Sequence, residues 1–582
     1  MLVLWVSISN VFKAGAGMAI DAGENARAAW ASGGKILLPW ATYQTGIDWN
    51  ESDTGAATGP DLGLYLRRLF LPLGRKDGVL HVALADTSAE NIAWIRAALG
   101  PVQTVIVAKE ALLAEIQRRF APKLTEDSIL ALARATPSLS ARQVITASQC
   151  ALFCMLAVAV GASLFALSTD ATWMIVAAVS LLFWLTVLFR AALALAGGRP
   201  NREAPPAASS QDAGLPLYTV VVPLYREAHM VPALSRSLSD LDYPRDRLQI
   251  IIAVEDDDVE TVGAAELLSG VAPFEVVRVL PSHPRTKPKA ANFALHFARG
   301  EFLVVFDAED RPERDQLRKA VSEFRRQPRI AACLQARLVF DNHDSWIARQ
   351  AALDYSVWFG FLLQGLDRLR IPMPLGGTSN HFRTSVLRAI HAWDPFNVTE
   401  DADMGIRLAA FGYRVSMLDS TTFEEAPEHI GDWIKQRSRW LKGYMQTWLV
   451  HSRCTSQFVG QAGLRGFFGF HLFIGGTVLS ALLNPLLWAA CIVSSTLGQS
   501  PSSHALEYVS FGGIIASNGL LTILAIAGSA WRGDGKLSPH GILVPLYWLL
   551  ISVAAYRGLW QLITRPFHWE KTAHGVAGDR HD

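Results

Sequence analysis

Long apolar runs alternate with mixed segments along the chain and separate membrane-compatible parts from water-soluble parts. Five stretches are strongly apolar: Cys150–Leu167, Trp173–Ala196, Phe467–Leu497, Tyr508–Trp531 and Gly541–Ile563. A helix that spans a bilayer needs about 20 such residues. The first four stretches therefore predict spanning helices. The fifth carries Tyr556, Arg557 and Gln561 in its second half, which favours an interfacial or re-entrant path.

Short β-rich runs lie between the second and third apolar stretches and are separated by helical patterns. The segments "LYTVVVPLY", "LQIIIAVEDDD", "FEVVRVL" and "EFLVVFDAED" predict buried strands. Strands that alternate with helices predict a parallel α/β sheet, whose ligands bind beyond the carboxyl ends of the strands. Earlier in the chain, "DGVLHVALAD", "ENIAWIRAAL", "VQTVIVAK" and "EALLAEIQRRF" predict strand, helix, strand and helix, and hence a second, smaller α/β module.

These patterns divide the chain into six predicted parts. They are a small cytoplasmic α/β module (1–145), a transmembrane hairpin (146–197), a Pro/Ser/Ala linker (198–214), the sheet domain (215–450), interfacial and transmembrane helices (451–564) and a tail (565–582). Arg190 lies near the end of the second apolar stretch and Arg199 and Arg202 follow it, whereas the loop before that stretch has no Lys or Arg. Basic residues favour the cytoplasmic side. We therefore expect a multi-pass protein of the bacterial inner membrane with its sheet domain and tail in the cytoplasm.

Composition narrows the class of protein further. The 582 residues carry a net charge of only +1, which argues against nucleic acid as a partner. The five cysteines show no paired spacing and so predict neither a zinc site nor a disulfide framework. The 18 tryptophans are typical of a protein that sits at a membrane interface.

Polar residues follow the predicted strands at their carboxyl ends, and one helical segment adds to them. The candidates are Pro223, Tyr225, Glu227, Glu255, Asp256, Asp307, Glu309 and Asp310 after strands, and Lys287, Lys289 and Asn292 in "RTKPKAANFAL". Carboxylates this close together can hold Mg²⁺ or Mn²⁺ against a diphosphate. A carboxylate at the second strand can accept from a uracil N–H, and a lysine can add charge near the phosphates. This chemistry fits a sugar nucleotide, although a surface turn would also explain Asp307 with Glu309.

Two later segments add chemistry. "VTEDADMGIRLAAFGYRV" places Glu400, Asp401 and Asp403 ahead of a helical pattern, where they form either an acidic first turn or a general base for an attacking hydroxyl. "QRSRW" contains Gln436, Arg439 and Trp440. This second motif fits a functional site, but it also fits a helix end beside a membrane, with a snorkelling arginine and an interfacial tryptophan.

Residues 215–445 resemble family 2 glycosyltransferases of the cellulose synthase and hyaluronan synthase type. The resemblance rests on "VVPLYRE", the acidic second strand end, "KPKAANFAL", "FDAED", "TED" and "QRSRW", in that order. It implies a GT-A-type, Rossmann-like α/β domain embedded between transmembrane helices. The family's Asp-x-Asp is Asp-Ala-Glu here, so either Glu309 or Asp310 is the second metal ligand.

The same resemblance assigns roles to individual residues. It implies that Asp256 and Glu255 meet the uridine, that Asp307 and Glu309 hold metal and diphosphate, and that Glu400 orients Asp401 as the base. Gln436, Arg439 and Trp440 would hold the pyrophosphate and the acceptor sugar. The loop "LGGTSNHFR" would lie on the acceptor side, with candidates Gly376, Gly377, Thr378, Ser379, Asn380 and Trp440.

Both ends of the chain resemble known elements more loosely. "PFHWEKTAHG" lies where cellulose synthases have a gating loop, which implies that Trp569, Lys571 and Thr572 close over the donor. A basic membrane anchor is the alternative. Residues 1–145 resemble the N-terminal domain of type II secretion ATPases, some of which bind cyclic di-GMP. The motif for that nucleotide is not visible here, so docking or folding support is the expected role.

The sequence as a whole predicts an inverting, metal-dependent, processive glycosyltransferase that extends a β-linked exopolysaccharide, most simply a β-glucan. Its expected partners are a UDP-sugar such as UDP-glucose, the growing polysaccharide, the lipid bilayer and export subunits. Two alternatives stay open. One is a single-transfer enzyme that glycosylates a lipid or other membrane acceptor, and the other is a non-catalytic docking protein.

Overall fold

A computed structural model of the protein describes residues 62–165, 169–198, 214–497, 501–531 and 535–570. The first part of the predicted N-terminal module, most of the linker, and Lys571 and Thr572 of the tail lie outside the described residues.

The N-terminal module contains a three-stranded sheet with helices around it. Its elements are α1 (Leu62–Arg68), β1 (Phe70–Lys76), β2 (Val79–Leu84), α2 (Ala89–Leu99), β3 (Val102–Ile106) and α3 (Lys109–Ala135). The predicted strand, helix, strand and helix are confirmed. The sequence analysis missed β1, which pairs antiparallel with β2, while β3 pairs parallel with β2 on its other side.

Two apolar helices follow, α4 (Ala147–Phe165) and α5 (Thr169–Gly197). Only α5 contains a segment that is long and apolar enough to cross a membrane, Ile175–Gly197. The described apolar part of α4, Ala147–Ala162, is shorter than a span requires. The prediction that Cys150–Leu167 spans the membrane therefore has no support from the described residues.

The sheet domain is built on eight strands. They are β4 (Tyr218–Leu224), β5 (Leu248–Glu255), β6 (Phe274–Val279), β7 (Phe302–Val305), β8 (Arg311–Pro312), β9 (Ala331–Phe340), β10 (Asn380–Arg383) and β11 (Arg414–Glu424), in the spatial order β6-β5-β4-β7-β10-β9-β11-β8. The four predicted strands, β4 to β7, are confirmed and run parallel. The sheet as a whole is mixed, because β10 lies antiparallel between β7 and β9.

Nine helices of the described residues pack around this sheet or continue from it. They are α6 (Val231–Ser239), α7 (Val259–Glu266), α8 (Lys287–Phe297), α9 (Gln316–Arg326), α10 (Trp346–Val357), α11 (Leu363–Arg368), α12 (Thr384–Ala389), α13 (Glu400–Ala410) and α14 (Ile430–His451). Because β4, β5 and β7 are parallel neighbours, their carboxyl ends meet at one edge of the sheet. The fold therefore brings the predicted polar strand ends together.

The C-terminal part of the described chain is helical. It contains α15 (Thr455–Phe470), α16 (Gly476–Leu497), α17 (Pro501–Trp531) and α18 (Val544–Thr564). By length and composition, the described residues provide four candidate membrane spans: Ile175–Gly197, Thr455–Ala489, Phe511–Ala530 and Ser538–Thr564. The last of these includes the stretch that the sequence analysis assigned to an interfacial or re-entrant path. Arg557 in this stretch has a charged partner, because it forms an ion pair with Glu570 at 2.9 Å.

Helix α18 packs along α14, and both ends of its segment contact the sheet domain. At the start, the side-chain amide of Gln350 donates to the His540 carbonyl at 2.8 Å. Beyond its end, Lys442 Nζ donates to the His568 carbonyl at 2.7 Å. The helices approach so closely that a Cβ at Gly558 would lie 2.8 Å from the Ser438 carbonyl oxygen. A larger residue at position 558 would push the two helices apart.

The N-terminal module docks on the sheet domain beside α8. Lys109 pairs with Glu275 at 2.5 Å, and the Gln117 amide donates to the Arg278 carbonyl. The buried carboxylate of Asp394 accepts from the backbone N–H of Ala141 and from Ser140 Oγ. These contacts fit the predicted docking or folding role of the module.

Candidate active site

A cavity of about 260 Å³ lies at the carboxyl edge of the sheet and continues between the apolar helices. Most of the predicted site residues line it: Pro223, Tyr225, Glu227, Glu255, Lys287, Asp307, Glu309, Gly376, Gly377, Glu400, Asp401, Gln436, Arg439, Trp440 and Trp569. Residues separated by up to 346 positions in the sequence, from Pro223 to Trp569, therefore line the same cavity.

Three predicted nucleotide-binding residues are not part of the cavity wall. Asp256 forms an ion pair with Arg278 at 3.2 Å. Lys289 is fully buried and pairs with Glu255 at 2.7 Å, so it neutralises a carboxylate that does line the cavity. The Asn292 amide donates to the carbonyls of Ser128 and Trp393. The structure therefore gives Lys289 and Asn292 supporting positions, because helix α8 turns them towards the protein interior.

The predicted acceptor loop is divided in the same way. Gly376 and Gly377 line the cavity, whereas Thr378, Ser379 and Asn380 are buried beneath it. Thr378 donates to the Asp310 carboxylate, and Ser379 Oγ lies 2.6 Å from Thr422 Oγ1. Asn380 Nδ2 reaches Asp401 Oδ1 at 3.5 Å. The loop thus supports the carboxylates, and only its two glycines offer a surface to a ligand.

The two candidates for the second metal ligand, Glu309 and Asp310, have different positions in the acidic turn after β7. Asp310 Oδ2 accepts from the Asp307 backbone N–H at 2.7 Å, and burial raises the Asp310 pKa well above its ordinary value. A buried carboxyl that accepts hydrogen bonds within its own turn and does not line the cavity is poorly placed to hold a metal ion there. Asp307 and Glu309 both face the cavity and supply the oxygen atoms that Mg²⁺ and Mn²⁺ prefer.

A divalent cation fits this turn only as a partner of a bound diphosphate. The described residues contain no group of three or more His, Cys, Asp or Glu side chains placed to hold a metal ion by themselves. Mg²⁺ in particular is commonly held by one or two carboxylates together with water and substrate phosphates. Asp307 and Glu309 match that pattern.

Lys287 brings positive charge to the same turn. Its Nζ lies 2.6 Å from Asp307 Oδ1 and donates to the Gly377 carbonyl at 2.6 Å. Burial lowers its pKa, but the charges of Asp307, Asp401 and Glu400 outweigh burial and raise the pKa above its ordinary value. Lys287 therefore stays cationic beside the place where a diphosphate would lie.

The three carboxylates at the start of α13 have separate environments. Glu400 and Asp401 line the cavity, whereas Asp403 is buried against Arg407 at 3.1 Å and His451 at 2.9 Å. Burial, and then the charge of Glu400, raise the Asp401 pKa well above its ordinary value. A higher pKa makes this carboxylate a stronger base. An acidic first turn would explain why all three residues stand at the start of the helix. It would not explain why Glu400 and Asp401 line the cavity.

Helix α14 is pressed against this turn. A Cβ at Gly443 would lie 1.5 Å from Thr399 Oγ1, so position 443 must be glycine for the two segments to meet. Gln436, Arg439 and Trp440 lie on one face of α14 by their spacing and all line the cavity. Burial lowers the pKa of Arg439, and the charge of Glu400 partly offsets this. These residues face the cavity, unlike a snorkelling arginine and an interfacial tryptophan, which would face lipid headgroups.

The segment after α18 returns to the cavity. The Arg439 guanidinium lies over the Trp569 ring at 4.9 Å. The next residue along the chain, Glu570, forms an ion pair with Arg557. Lys442, whose pKa burial lowers to about 8, binds the His568 carbonyl. The described part of the predicted gating segment therefore covers one side of the cavity.

We expect Trp569→Ala to lower glycosyl transfer by roughly tenfold, the value of a well-shielded cation–π contact. The tail would then release Arg439 and admit water. Initial transfer rates and protein levels in isolated membranes measure this effect. Trp560→Ala is the matched control, because Trp560 is 68% exposed on the preceding helix, α18. Equal transfer rates for Trp569→Ala and Trp560→Ala would contradict a gating role and leave membrane anchoring as the role of the tail.

Several cavity residues escaped the sequence analysis. Arg285 donates to Tyr225 Oη at 3.0 Å and pairs with Asp257 at 2.6 Å. It stands in "RTKPK", so its proximity to Lys287 was a usable signal. Glu424 ends β11, and burial raises its pKa well above the ordinary value. Arg190 was considered only as a marker of topology, although it lines the inner end of the cavity.

Comparison with known proteins shows which family part of the chain is similar to. Residues 302–529 match the sequence profile of the glycosyl transferase family group 2. A probable glycosyltransferase of Bacillus subtilis is 24% identical over 237 residues, which cover 39% of this chain and 55% of the relative. A beta-monoglucosyldiacylglycerol synthase of Synechocystis is 28% identical over 417 residues, 68% of this chain and 84% of the relative.

Solved structures give a weaker likeness. A mannosyltransferase of Pyrobaculum calidifontis, solved with GDP-mannose and Mn²⁺, aligns with a TM-score of 0.44 at 20% identity and covers 66% of this chain and 99% of its own. The chain spans about half the length of the Bacillus relative.

Proposed function

We propose a function from the premise that this chain carries a glycosyltransferase family 2 domain, the domain of a sugar-nucleotide-dependent hexosyltransferase. We infer that it transfers a hexosyl group from a UDP-sugar, with UDP-glucose as the first candidate, to a hydroxyl group of a membrane lipid. The observation that carries this proposal is the single cavity that joins the carboxylates to the apolar helices.

The cavity walls describe the two substrates. At one end lie Asp307, Glu400, Asp401 and Arg439, which suit a diphosphate and an attacking hydroxyl. At the other end the wall contains Leu362, Leu521, Trp548 and Ile551 among its members. Leu521, Trp548 and Ile551 belong to candidate membrane spans. A lipid acceptor would thus keep its acyl chains among apolar side chains while its headgroup reaches the polar end.

The chain's own residues account for each part of the transfer. Asp401 takes the proton from the acceptor hydroxyl as its oxygen bonds to the anomeric carbon from the face opposite the leaving group. The bond between that carbon and the diphosphate oxygen breaks, and the nucleoside diphosphate leaves beside Lys287 and Arg439. Asp307 and Glu309 would hold the divalent cation, which supplies charge neutralisation for the diphosphate when it is bound. Trp569 limits the access of water.

Helix α18 has a place in this scheme as an interfacial helix. Helix α16 leads the chain away from the sheet domain and α17 leads it back. The segment of α18 then begins at Gln350 and ends beneath Lys442, both in the sheet domain. Because both ends of the segment contact the sheet domain, we propose that α18 lies along the membrane and that the tail is in the cytoplasm. On this path, the part of the cavity wall that α18 forms would lie at the depth of the lipid headgroups.

Similarity to lipid glycosyltransferases favours the lipid acceptor over a growing polymer. Three relatives with 25–28% identity are beta-monoglucosyldiacylglycerol synthases, from Synechocystis, Trichormus variabilis and Nostoc. A processive β-glucan synthase is the second candidate. It is favoured by the grouping of Asp401 with Gln436, Arg439 and Trp440 around one cavity.

Product analysis tests the proposal. Membranes that contain the protein would receive radiolabelled UDP-glucose, UDP-galactose or UDP-N-acetylglucosamine with Mn²⁺. We expect label in the chloroform-soluble fraction as a single-sugar lipid, and no label there with Asp401→Asn membranes. Label that appears only in ethanol-insoluble polymer would contradict the lipid acceptor and support the processive enzyme. Absence of nucleotide release with every donor would contradict both enzymes.

A further inference from the structure

We propose that Arg190 binds the phosphate of a phospholipid acceptor, so that the preferred acceptor carries a phosphodiester between its acyl chains and its hydroxyl-bearing headgroup. This inference rests on the proposed lipid acceptor and specifies its chemical class. The arginine lies in helix α5, inside the candidate span Ile175–Gly197, and lines the inner end of the cavity.

The environment of Arg190 leaves its charge uncompensated. The side chain is buried, with 6% of the residue exposed. Its Nη2 donates to Thr477 Oγ1 at 3.0 Å, and its guanidinium lies 5.2 Å from the centre of the Trp548 ring. Among the described residues Thr477 is its hydrogen-bond partner, and no carboxylate lies within ion-pairing distance. A buried arginine in a membrane segment requires a partner, and an ionisable residue there is a functional-site hypothesis by default.

The nearby carboxylate is already engaged. Asp354 lines the same end of the cavity and pairs with Arg437 at 3.1 Å. Tyr547 Oη donates to the same carboxylate at 3.2 Å. Asp354 is thus engaged by Arg437 and Tyr547, and Arg190 is left without a direct counter-ion among the described residues. A bound anion would restore neutrality in a place that water reaches poorly.

The depth of Arg190 selects the anion. It lies seven positions before the end of α5 at Gly197, which is about 10 Å along a helix at 1.5 Å per residue. The end of α5 contacts the sheet domain, since Arg368 donates to the Ala196 carbonyl at 2.6 Å. Arg190 thus lies in the last third of the candidate span Ile175–Gly197, from where its long side chain can reach the phosphate of a lipid that enters the cavity. A planar guanidinium binds phosphate oxygens in a bidentate manner.

The geometry relates this phosphate site to the reaction. Arg190 would hold the phosphate at the apolar end of the cavity, while Asp401 at the polar end takes the proton from the headgroup hydroxyl. A lipid without a phosphate would fit the same walls but lack this anchor. Arg190 would therefore act in acceptor selection.

The test compares two acceptors in the full-length protein. Nanodiscs of neutral lipid would contain either phosphatidylglycerol or diacylglycerol, and the measured quantity is the ratio of kcat/KM for the two. We expect Arg190→Gln to lower this ratio by about tenfold or more, the effect of losing a charge-assisted hydrogen bond. Arg190→Lys should retain most of the ratio. Arg465→Gln is the matched control, because Arg465 lies in another candidate span and donates to the Leu369 carbonyl at 2.9 Å.

A measurement on the unmodified protein guards against a variant that fails to fold. Phosphatidic acid, which has the phosphate but no headgroup hydroxyl, should inhibit transfer to phosphatidylglycerol competitively, whereas inorganic phosphate should inhibit little. Equal inhibition by inorganic phosphate would overturn the lipid assignment. No inhibition by phosphatidic acid, or an unchanged acceptor ratio in a folded Arg190→Gln, would overturn the site but leave a lipid glycosyltransferase. Absence of any lipid product from the unmodified protein would overturn the site together with the proposed function.

Discussion

The Asp401→Asn variant is expected to lose at least about a hundredfold in transfer while its affinity for the UDP-sugar changes little. The amide keeps the shape of the side chain and the contact with Asn380, but it cannot accept the hydroxyl proton. In the proposed mechanism donor binding depends on other groups, chiefly Asp307, Lys287 and Arg439, so it should survive. Turnover in membranes and nucleotide binding by calorimetry would separate the two effects.

Two comparisons sharpen this prediction. Asp246→Asn is the control for a carboxylate-to-amide change, because the Asp246 side chain is 80% exposed and outside the cavity wall. Glu400→Gln should cause a smaller loss, because Glu400 acts on Asp401 through its charge. Near-normal turnover in Asp401→Asn would remove Asp401 from the role of base, and a parallel loss of donor affinity would point to a folding defect.

The second large effect is expected at the metal turn. Asp307→Asn should reduce transfer by at least about a hundredfold and abolish the dependence of nucleotide binding on Mn²⁺, because the diphosphate would lose the cation and Lys287 would lose the carboxylate that positions it. Activity should likewise disappear when EDTA is added and return with excess Mn²⁺. Transfer that continues unchanged in EDTA would contradict a metal role.

The neighbouring carboxyls provide an internal control for the assignment. Glu309→Gln should raise the Mn²⁺ concentration needed for half-maximal activity. Asp310→Asn should instead lower the unfolding temperature, because the Asp310 carboxyl braces the turn through Asp307 and Thr378. The reverse pattern, in which Asp310→Asn alone shifts the Mn²⁺ dependence, would make Asp310 the ligand.

The sequence was informative where local pattern and chemistry coincide. Apolar runs bounded by polar turns predicted β4 to β7, and the polar residues at their carboxyl ends predicted the site edge. The antiparallel strand β10 escaped because "NHFR" has only four residues and no alternation. Its position between β7 and β9 depends on long-range pairing, which no local pattern encodes.

Side-chain direction was the harder part of the site. The motif "KPKAANFAL" predicted one group of nucleotide-binding residues, but a helix distributes neighbours around its axis, so Lys287 faces the cavity while Lys289 and Asn292 face inward. The same limitation applies to Arg190. From sequence alone, a single arginine in an apolar stretch indicates only which end of the helix is cytoplasmic. Its contacts with α16 and α18 in the structure show which cavity it faces.

The close packing of α18 against α14 has a practical consequence for anyone who wishes to crystallise or engineer this enzyme. The wall that carries Gln436, Arg439 and Trp440 rests on a helix from the hydrophobic C-terminal region, and Trp569 arrives only after that helix. A fragment limited to residues 214–450, which leaves out α5 as well, would be a water-compatible sheet domain with an open and unsupported side. The smallest self-sufficient catalytic fragment therefore extends to the tail, and detergents that strip α18 from α14 should inactivate the enzyme before its sheet unfolds.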